Sequence, residues 1–168
     1  MTLTSRMLLE LSADFSSALD LASLRVPLDV KTQVDLANGT AANQADRIFH
    51  DTRTLSASGT ENLDLAGVLT DPTGATITFA KIKLLLIKAA AANTNDVVVG
   101  GHASAAFVNW VSDATDKVVV RPGGGLCLWA PGAAGYAVTA TTADMLTVAN
   151  SGAGTGVTYD VVIIGTSA

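Results

Sequence analysis

The sequence has 168 residues, of which 49% are hydrophobic and only 15% are charged, with a formal net charge of −5. Soluble domains contain about 25% charged residues, so this chain has little charge with which to cover a free monomer. We therefore expect a subunit of a homo-oligomer. The acidic balance and the lack of Lys/Arg clusters argue against nucleic acid as a partner. No apolar run approaches the roughly 20 residues that span a bilayer, so we expect no membrane partner.

The N-terminal segment has two competing hydrophobic patterns. One helical face would contain Leu8, Leu11, Phe15 and Leu19, whereas the odd-numbered positions fit a strand. The strand pattern is longer, because the odd positions are apolar at Met7, Leu9, Leu11, Ala13, Phe15, Leu19 and Leu21. Sustained alternation predicts half-buried β structure, as one strand or as two strands joined near residues 14–17. We expect residues 1–37 to form an extended β arm used in assembly and residues 38–168 to form the folded domain.

Turn-forming residues mark several connections. The segment 35–46 contains Asn38-Gly39 and is predicted to be a surface loop, and residues 71–74, Asp-Pro-Thr-Gly, predict a turn. The four residues 19–22, Leu-Asp-Leu-Ala, recur at 63–66. This short echo predicts similar local structure in the two places.

The apolar phase reverses between Thr76 and Ile87. Ile77 and Phe79 share one parity, while Ile82, Leu84 and Leu86 share the other. One extra residue in a strand reverses the inward-facing parity, so we predict a β-bulge in this segment.

Short β-rich runs then follow one another, separated by Gly, Pro, Asn and Asp clusters. They cover residues 96–101, 117–121, 126–129, 136–140, 145–149 and 157–164. Many short strands without a long helical pattern predict an all-β protein, an antiparallel β-sandwich with jelly-roll-like packing. The sequence does not determine the strand order.

Two glycine-rich segments have structural explanations. Residues 152–156, Gly-Ala-Gly-Thr-Gly, precede a strand, whereas a phosphate-binding loop precedes a helix, so we predict a hairpin connection. Pro122-Gly123-Gly124-Gly125 joins two β-rich runs and predicts a tight corner.

The residues capable of catalysis or metal binding form no recognisable constellation. His50 and His102 have no partner at metal-ligand spacing, and Cys127 between two leucines is typical of a small buried hydrophobe. Asp20, Asp64 and Asp144 are interpreted as parts of solvated faces. We therefore assign no catalytic, cofactor-binding or metal-binding residue, and we expect a protein that is not an enzyme.

Six apolar residues are the candidate interface residues. Four belong to the arm, and the other two form an aromatic pair that we interpret as a contact patch for another protein. The six residues are Met7, Leu9, Leu11, Phe15, Phe107 and Trp110.

Several passages resemble one group of structural proteins of tailed bacteriophages. They are residues 39–46 (GTAANQAD), 51–55 (DTRTL), 63–67 (LDLAG), 121–124 (RPGG) and 159–165 (YDVVIIG). In size and β-rich character the chain is also similar to phage capsid decoration, or cement, proteins. Several of those proteins are jelly-roll-like trimers that clamp junctions between capsid proteins.

The resemblance implies a virion structural protein that is made in the bacterial host cytoplasm and is located at the capsid surface. It would bind the major capsid protein and stabilise the shell as an oligomer, with a trimer preferred. Two alternatives stay open at this point. One is a component of the tail or of a head fibre. The other is a host-receptor or glycan-binding module that uses Trp110, Trp129 or Tyr136 for stacking.

Overall fold

A computed structural model describes residues 2–168, and this part of the chain contains twelve strands and no helix. The strands are β1 (Ser5–Ala18), β2 (Ser23–Asn38), β3 (Gln44–Ala45), β4 (Arg47–Leu55), β5 (Thr60–Asp64), β6 (Lys81–Ala89), β7 (Val97–Gly100), β8 (Lys117–Val120), β9 (Gly125–Trp129), β10 (Tyr136–Ala137), β11 (Met145–Asn150) and β12 (Val157–Thr166). The predicted all-β, antiparallel fold is confirmed.

The body is a sandwich of two antiparallel sheets with nested strand pairing. One sheet has the order β4-β12-β6, with β9 and the short β10 pairing along β6, and the other has the order β5-β11-β7-β8. Strands far apart in the chain are partners, since β4 pairs with β12, β5 with β11, β6 with β9 and β7 with β8. These eight strands therefore form four nested pairs. Successive pairs lie alternately in the first and in the second sheet.

Strict alternation along β12 divides the first sheet into an inner and an outer face. Tyr159, Val161 and Ile163 are fully buried in the main core between the sheets. Val162 and Ile164 point to the outer face and belong to a second apolar cluster. Because β12 pairs with both β4 and β6, it aligns the apolar residues of both faces.

A bulge is present within the predicted segment, at the beginning of β6. It follows Ile82, so the residues that share the main core with Ile82 are Leu85 and Ile87, and not Leu84 and Leu86 as the change of phase indicated. Ile164 pairs with Leu84 while Gly165 pairs with Ile82, so Lys83 is the extra residue. The Lys83 side chain is fully buried, and its ammonium group donates a hydrogen bond to the carbonyl of Gly132 in the loop between β9 and β10. Burial and the charge of Lys81 lower the pKa of Lys83. Ile77 and Phe79, which we expected within the same strand, lie before β6 and are buried.

Three local predictions from the sequence are wrong. The arm turns at Leu19–Ala22, where the Leu19 amide donates to the Ala22 carbonyl at 2.7 Å, and not at 14–17. The echo between 19–22 and 63–66 does not give similar structure, because the first is an exposed turn while Leu63 and Leu65 are core residues. Residues 152–156 connect β11 to β12 in the opposite sheet and are not a hairpin connection.

The connections predicted from turn formers are partly correct. Residues 71–74 form the predicted turn, in which the Gly74 amide donates to the Asp71 carbonyl at 2.9 Å. Residues 122–125 form the predicted corner and carry the chain from β8 to β9 in the other sheet. The predicted loop 35–46 is shorter than expected, because β2 continues to Asn38.

A polar network joins the two sheets at one side of the core. The Tyr159 hydroxyl donates to Glu61 Oε1 at 2.7 Å, and Arg53 Nη1 lies 3.1 Å from Glu61 Oε2. The Arg53 guanidinium lies 5.7 Å from the centroid of the Phe49 ring, a distance typical of a cation–π contact. Burial, followed by the hydrogen bond to Glu61, raises the pKa of Tyr159. The network therefore links β12 and β4 of one sheet to β5 of the other.

We predict that Gly165→Ala destabilises the body strongly, because a Cβ at this position would lie 2.2 Å from the Lys81 carbonyl oxygen. The expected loss is about 2–4 kcal/mol of unfolding free energy, as for other steric conflicts in a core. Urea unfolding measures it. The matched control is Gly132→Ala, where the added methyl group meets nothing within 4 Å. Equal stability of the two variants would contradict the prediction.

We predict that Tyr159→Phe lowers the unfolding free energy at pH 7 by about 1–2 kcal/mol, because Glu61 loses a hydrogen-bond donor. Above pH about 10 the unfolded chain releases its tyrosine proton while folded Tyr159 keeps it. This difference lowers wild-type stability by at most about 1.4 kcal/mol per pH unit. The unfolding free energy of Tyr159→Phe should therefore fall less steeply with rising pH than that of the wild type.

Urea midpoints measured between pH 8 and 11.5 test this pH dependence. Tyr136→Phe is the control, because Tyr136 is only partly buried and lies outside the network. A Tyr136→Phe variant that flattens the alkaline decline as much as Tyr159→Phe would refute the explanation.

Candidate assembly surface

The strands β1 and β2 form a two-stranded hairpin, called here the arm. They pair antiparallel over their whole length, from Ser5 opposite Leu36 to Ala18 opposite Ser23. Only the end of β2 pairs with another strand, the short β3. Since side chains alternate along each strand, this register gives the arm two faces of different composition.

One face of the arm carries its charged strand residues. Arg6 Nε lies 2.6 Å from Asp35 Oδ1, Lys31 Nζ lies 3.1 Å from Glu10 Oε1, and Arg25 pairs with Asp14. The hydrogen bond from Arg6, followed by that from Gln33, lowers the pKa of Asp35. These partners lie on opposite strands, so the charges of this face are largely neutralised within the arm itself.

The other face of the arm is apolar, and we call it the arm apolar face. The register brings odd residues of β1 beside even residues of β2, as where Leu11 pairs with Val30 and Phe15 with Val26. Phe15 is 66% exposed and Leu11 is 59% exposed. The face consists of Leu9, Leu11, Ala13, Phe15, Leu24, Val26, Leu28 and Val30, together with Ser17 and Thr32.

The arm is held to the body by the second apolar cluster. Val34 and Leu36 of β2 are buried there with Leu84 of β6 and Ile164 of β12. Met7 packs against the same cluster, and its Sδ lies 3.7 Å from Cys127 Sγ. The predicted interface residue Met7 is therefore a residue of the arm root, while Leu9, Leu11 and Phe15 extend beyond it.

A small cavity of about 150 Å³ lies at the arm root. Its lining includes Met7, Leu86, Cys127 and Val162, so apolar surface continues from the root to the outer face of the body. Cys127 was expected to be buried between leucines, but it is half-buried and points to this outer face, whereas Leu126 and Leu128 pack on the main core. Burial raises the pKa of the Cys127 thiol.

The two aromatic interface candidates lie apart from the arm. Phe107 is buried in the main core, and Trp110 packs half-buried against it. The indole Nε1 of Trp110 donates to the Phe107 carbonyl at 2.9 Å. The side chain of Trp129, in contrast, is 37% exposed at the end of β9.

The residues considered for chemistry are dispersed. His102 Nδ1 accepts from the Ala105 amide at 3.0 Å, and His50 lies exposed on β4. Asp144 was expected on a solvated face but is buried, and its Oδ2 accepts from the Thr141 amide at 2.6 Å. Within residues 2–168, no group of three or more His, Cys, Asp or Glu side chains is arranged to hold a metal ion.

Half of the arm apolar face was missed from the sequence. Leu24, Val26, Leu28 and Val30 alternate with polar or charged residues as clearly as the odd positions of β1. The signal was therefore present, although Pro27 interrupts it, and proline is expected only at a sheet edge or outside a strand. In the arm, β2 is such an edge over most of its length.

Comparisons with protein-family models, with curated proteins and with solved structures found no match to this chain. Among residues 2–168 there is also no helix with the length and apolar character of a membrane span.

We predict that Leu36→Ala loosens the arm from the body. Leu36 is 2% exposed in the second cluster, and a buried Leu→Ala change costs about 2–5 kcal/mol. Limited proteolysis should then cut near the arm root faster than in the wild type, and urea unfolding should show the lost stability. Leu24→Ala is the control, because Leu24 is 45% exposed. Similar cleavage rates in the two variants would contradict this role of Leu36.

Proposed function

We propose that this chain is a non-enzymatic structural protein of a tailed-phage virion, which binds the capsid shell as an oligomeric decoration protein. The observation that carries the proposal is the arm apolar face. A hairpin that holds its own charges on one face and leaves the other face apolar is built to contact protein, since large exposed apolar patches mark interaction sites. The low charge of the whole chain supports the same conclusion.

The nested strand pairing of the body supports the jelly-roll assignment that belongs to this proposal. Eight strands of the five-stranded and the four-stranded sheet form partner pairs, each nested inside the previous one, and this is the pairing expected of a double-sheet jelly roll. This architecture suits a rigid shell component, because hydrogen bonds between strands that are distant in the chain hold the whole body together. Architecture alone does not define the role, so the arm is the stronger argument.

The passages that resemble phage structural proteins have structural contacts that support a scaffold role. In 159–165, the Tyr159 hydroxyl donates a hydrogen bond to Glu61, and Gly165 lies opposite the bulge of β6. In 39–46, the Asp46 carboxylate accepts hydrogen bonds from Ser167 near the end of the chain. In 121–124, Gly123 has a φ of +74°, a conformation in which glycine is unstrained. The resemblance therefore falls on residues that define turns and strand packing.

Assembly would be stabilised by geometry and apolar burial. Each Å² of apolar surface removed from water contributes about 25 cal/mol, so an arm pressed against a neighbouring protein contributes stability without any specific chemistry. The polar face of the arm stays in water with its ion pairs intact.

The copy number of the protein in purified particles tests the capsid location. We expect on the order of hundreds of copies, comparable with the major capsid protein, and density over the shell in cryo-electron microscopy. As a second measurement, purified protein should co-sediment with shells that lack it. A handful of copies located at the tail or a fibre, or no binding to shells, would overturn the proposal.

A further inference from the structure

Seven of the fourteen large hydrophobic residues that are exposed within residues 2–168 lie on the arm apolar face. Its large side chains are about half exposed, from Leu24 at 45% to Phe15 at 66%. We propose that this face packs against the same face of the arm of a second copy of this chain. The inference deepens the proposed function, on which it rests, by naming the surface and the partner through which the oligomer forms.

The charge distribution favours a second copy as the occupant. Every charged residue of β1 and β2 projects from the opposite face, so two apolar faces can meet without removing a charge from water. A buried, unpaired charge is costly, and a face that has none can pack on a copy of itself. A contact between identical surfaces relates two copies by a two-fold axis, so this contact gives a dimer, the commonest symmetric homo-oligomer, and not the trimer that the resemblance implies.

The arm apolar face is large for an apolar surface that is exposed to water. Between Leu9 and Ser17 the arm has nine residue pairs, of which five project their side chains onto this face. At about 3.3 Å per residue and two strands of about 4.8 Å each, this ribbon covers roughly 300 Å² even when treated as flat. Such an area is already in the range of the largest apolar patch on a typical monomer. A second arm covers it along its whole length, because the two ribbons have equal length.

The apolar surface also extends beyond the arm. It passes through Met7 and the small cavity at the arm root to Leu86, which is 38% exposed. A standard stable interface buries about 800 Å² per partner, which is more than the flat area of one ribbon. The apolar surface around the arm root adjoins the arm apolar face, so it would add buried area to the contact between two copies.

The experiment compares Leu11→Asp with Leu8→Asp by sedimentation velocity across a concentration series. The two leucines are matched, being 59% and 58% exposed, but Leu11 lies on the apolar face and Leu8 on the charged one. We expect a wild-type oligomer at micromolar concentration and a dissociation constant about 100-fold higher in Leu11→Asp, because a carboxylate would have to be buried. Leu8→Asp should dissociate like the wild type. The oligomer mass gives the number of copies.

The outcomes separate this inference from the proposed function. Urea unfolding of the wild type and both variants confirms that the body is intact, and Leu28→Asp, on β2, repeats the test from the other strand. Equal dissociation of Leu11→Asp and Leu8→Asp would overturn the inference. A wild-type protein that is monomeric but still binds shells would also overturn it, leaving the proposed function in place with the capsid protein as the occupant of the arm apolar face.

Discussion

The pairing of β12 with both β4 and β6 is the interaction on which the rest of the structure depends. Its inward residues, Tyr159, Val161 and Ile163, fill the main core, and its outward residues, Val162 and Ile164, provide the surface on which the arm is rooted. One alternating strand therefore serves two apolar clusters on opposite sides of a sheet. A shift of one residue in this register would exchange the two sets and would disturb the core and the arm root together.

Periodicity explains which parts of the fold could be predicted from the sequence. The alternation from Met7 to Phe15 predicted β1. The change of phase after Phe79 predicted a bulge in this segment, and one is present at Lys83, but Phe79 lies before the strand and the inward parity predicted for Leu84 and Leu86 is wrong. Strand β4 was missed because its pattern is mixed. Arg53 replaces an apolar residue on the inner face, where Glu61 and the Phe49 ring stabilise it. The local pattern does not show that this half-buried cation also pairs with Glu61, which lies on β5 of the other sheet.

Part of the candidate surface could be predicted for the same reason. Leu9, Leu11 and Phe15 follow from alternation alone, but the pattern cannot tell whether an apolar face meets the body or a partner. Phe107 illustrates the difficulty, because an aromatic neighbour of Trp110 suggested a contact patch and lies in the core. The strand order, which depends on pairing between distant segments, was likewise beyond local reasoning. This strand order places the root of the arm beside the outer face of the first sheet.

The separation of paired strands along the chain has a consequence for the order of folding. The arm is a local hairpin with a four-residue turn, whereas β4 must wait for β12, roughly 100 residues later, before the first sheet can close. Local hairpins form within microseconds, and sheets built from distant segments form far more slowly. The arm is also synthesised before the body. Its apolar face is thus exposed before the body has folded, so the association of copies that we propose would begin while each subunit is still folding.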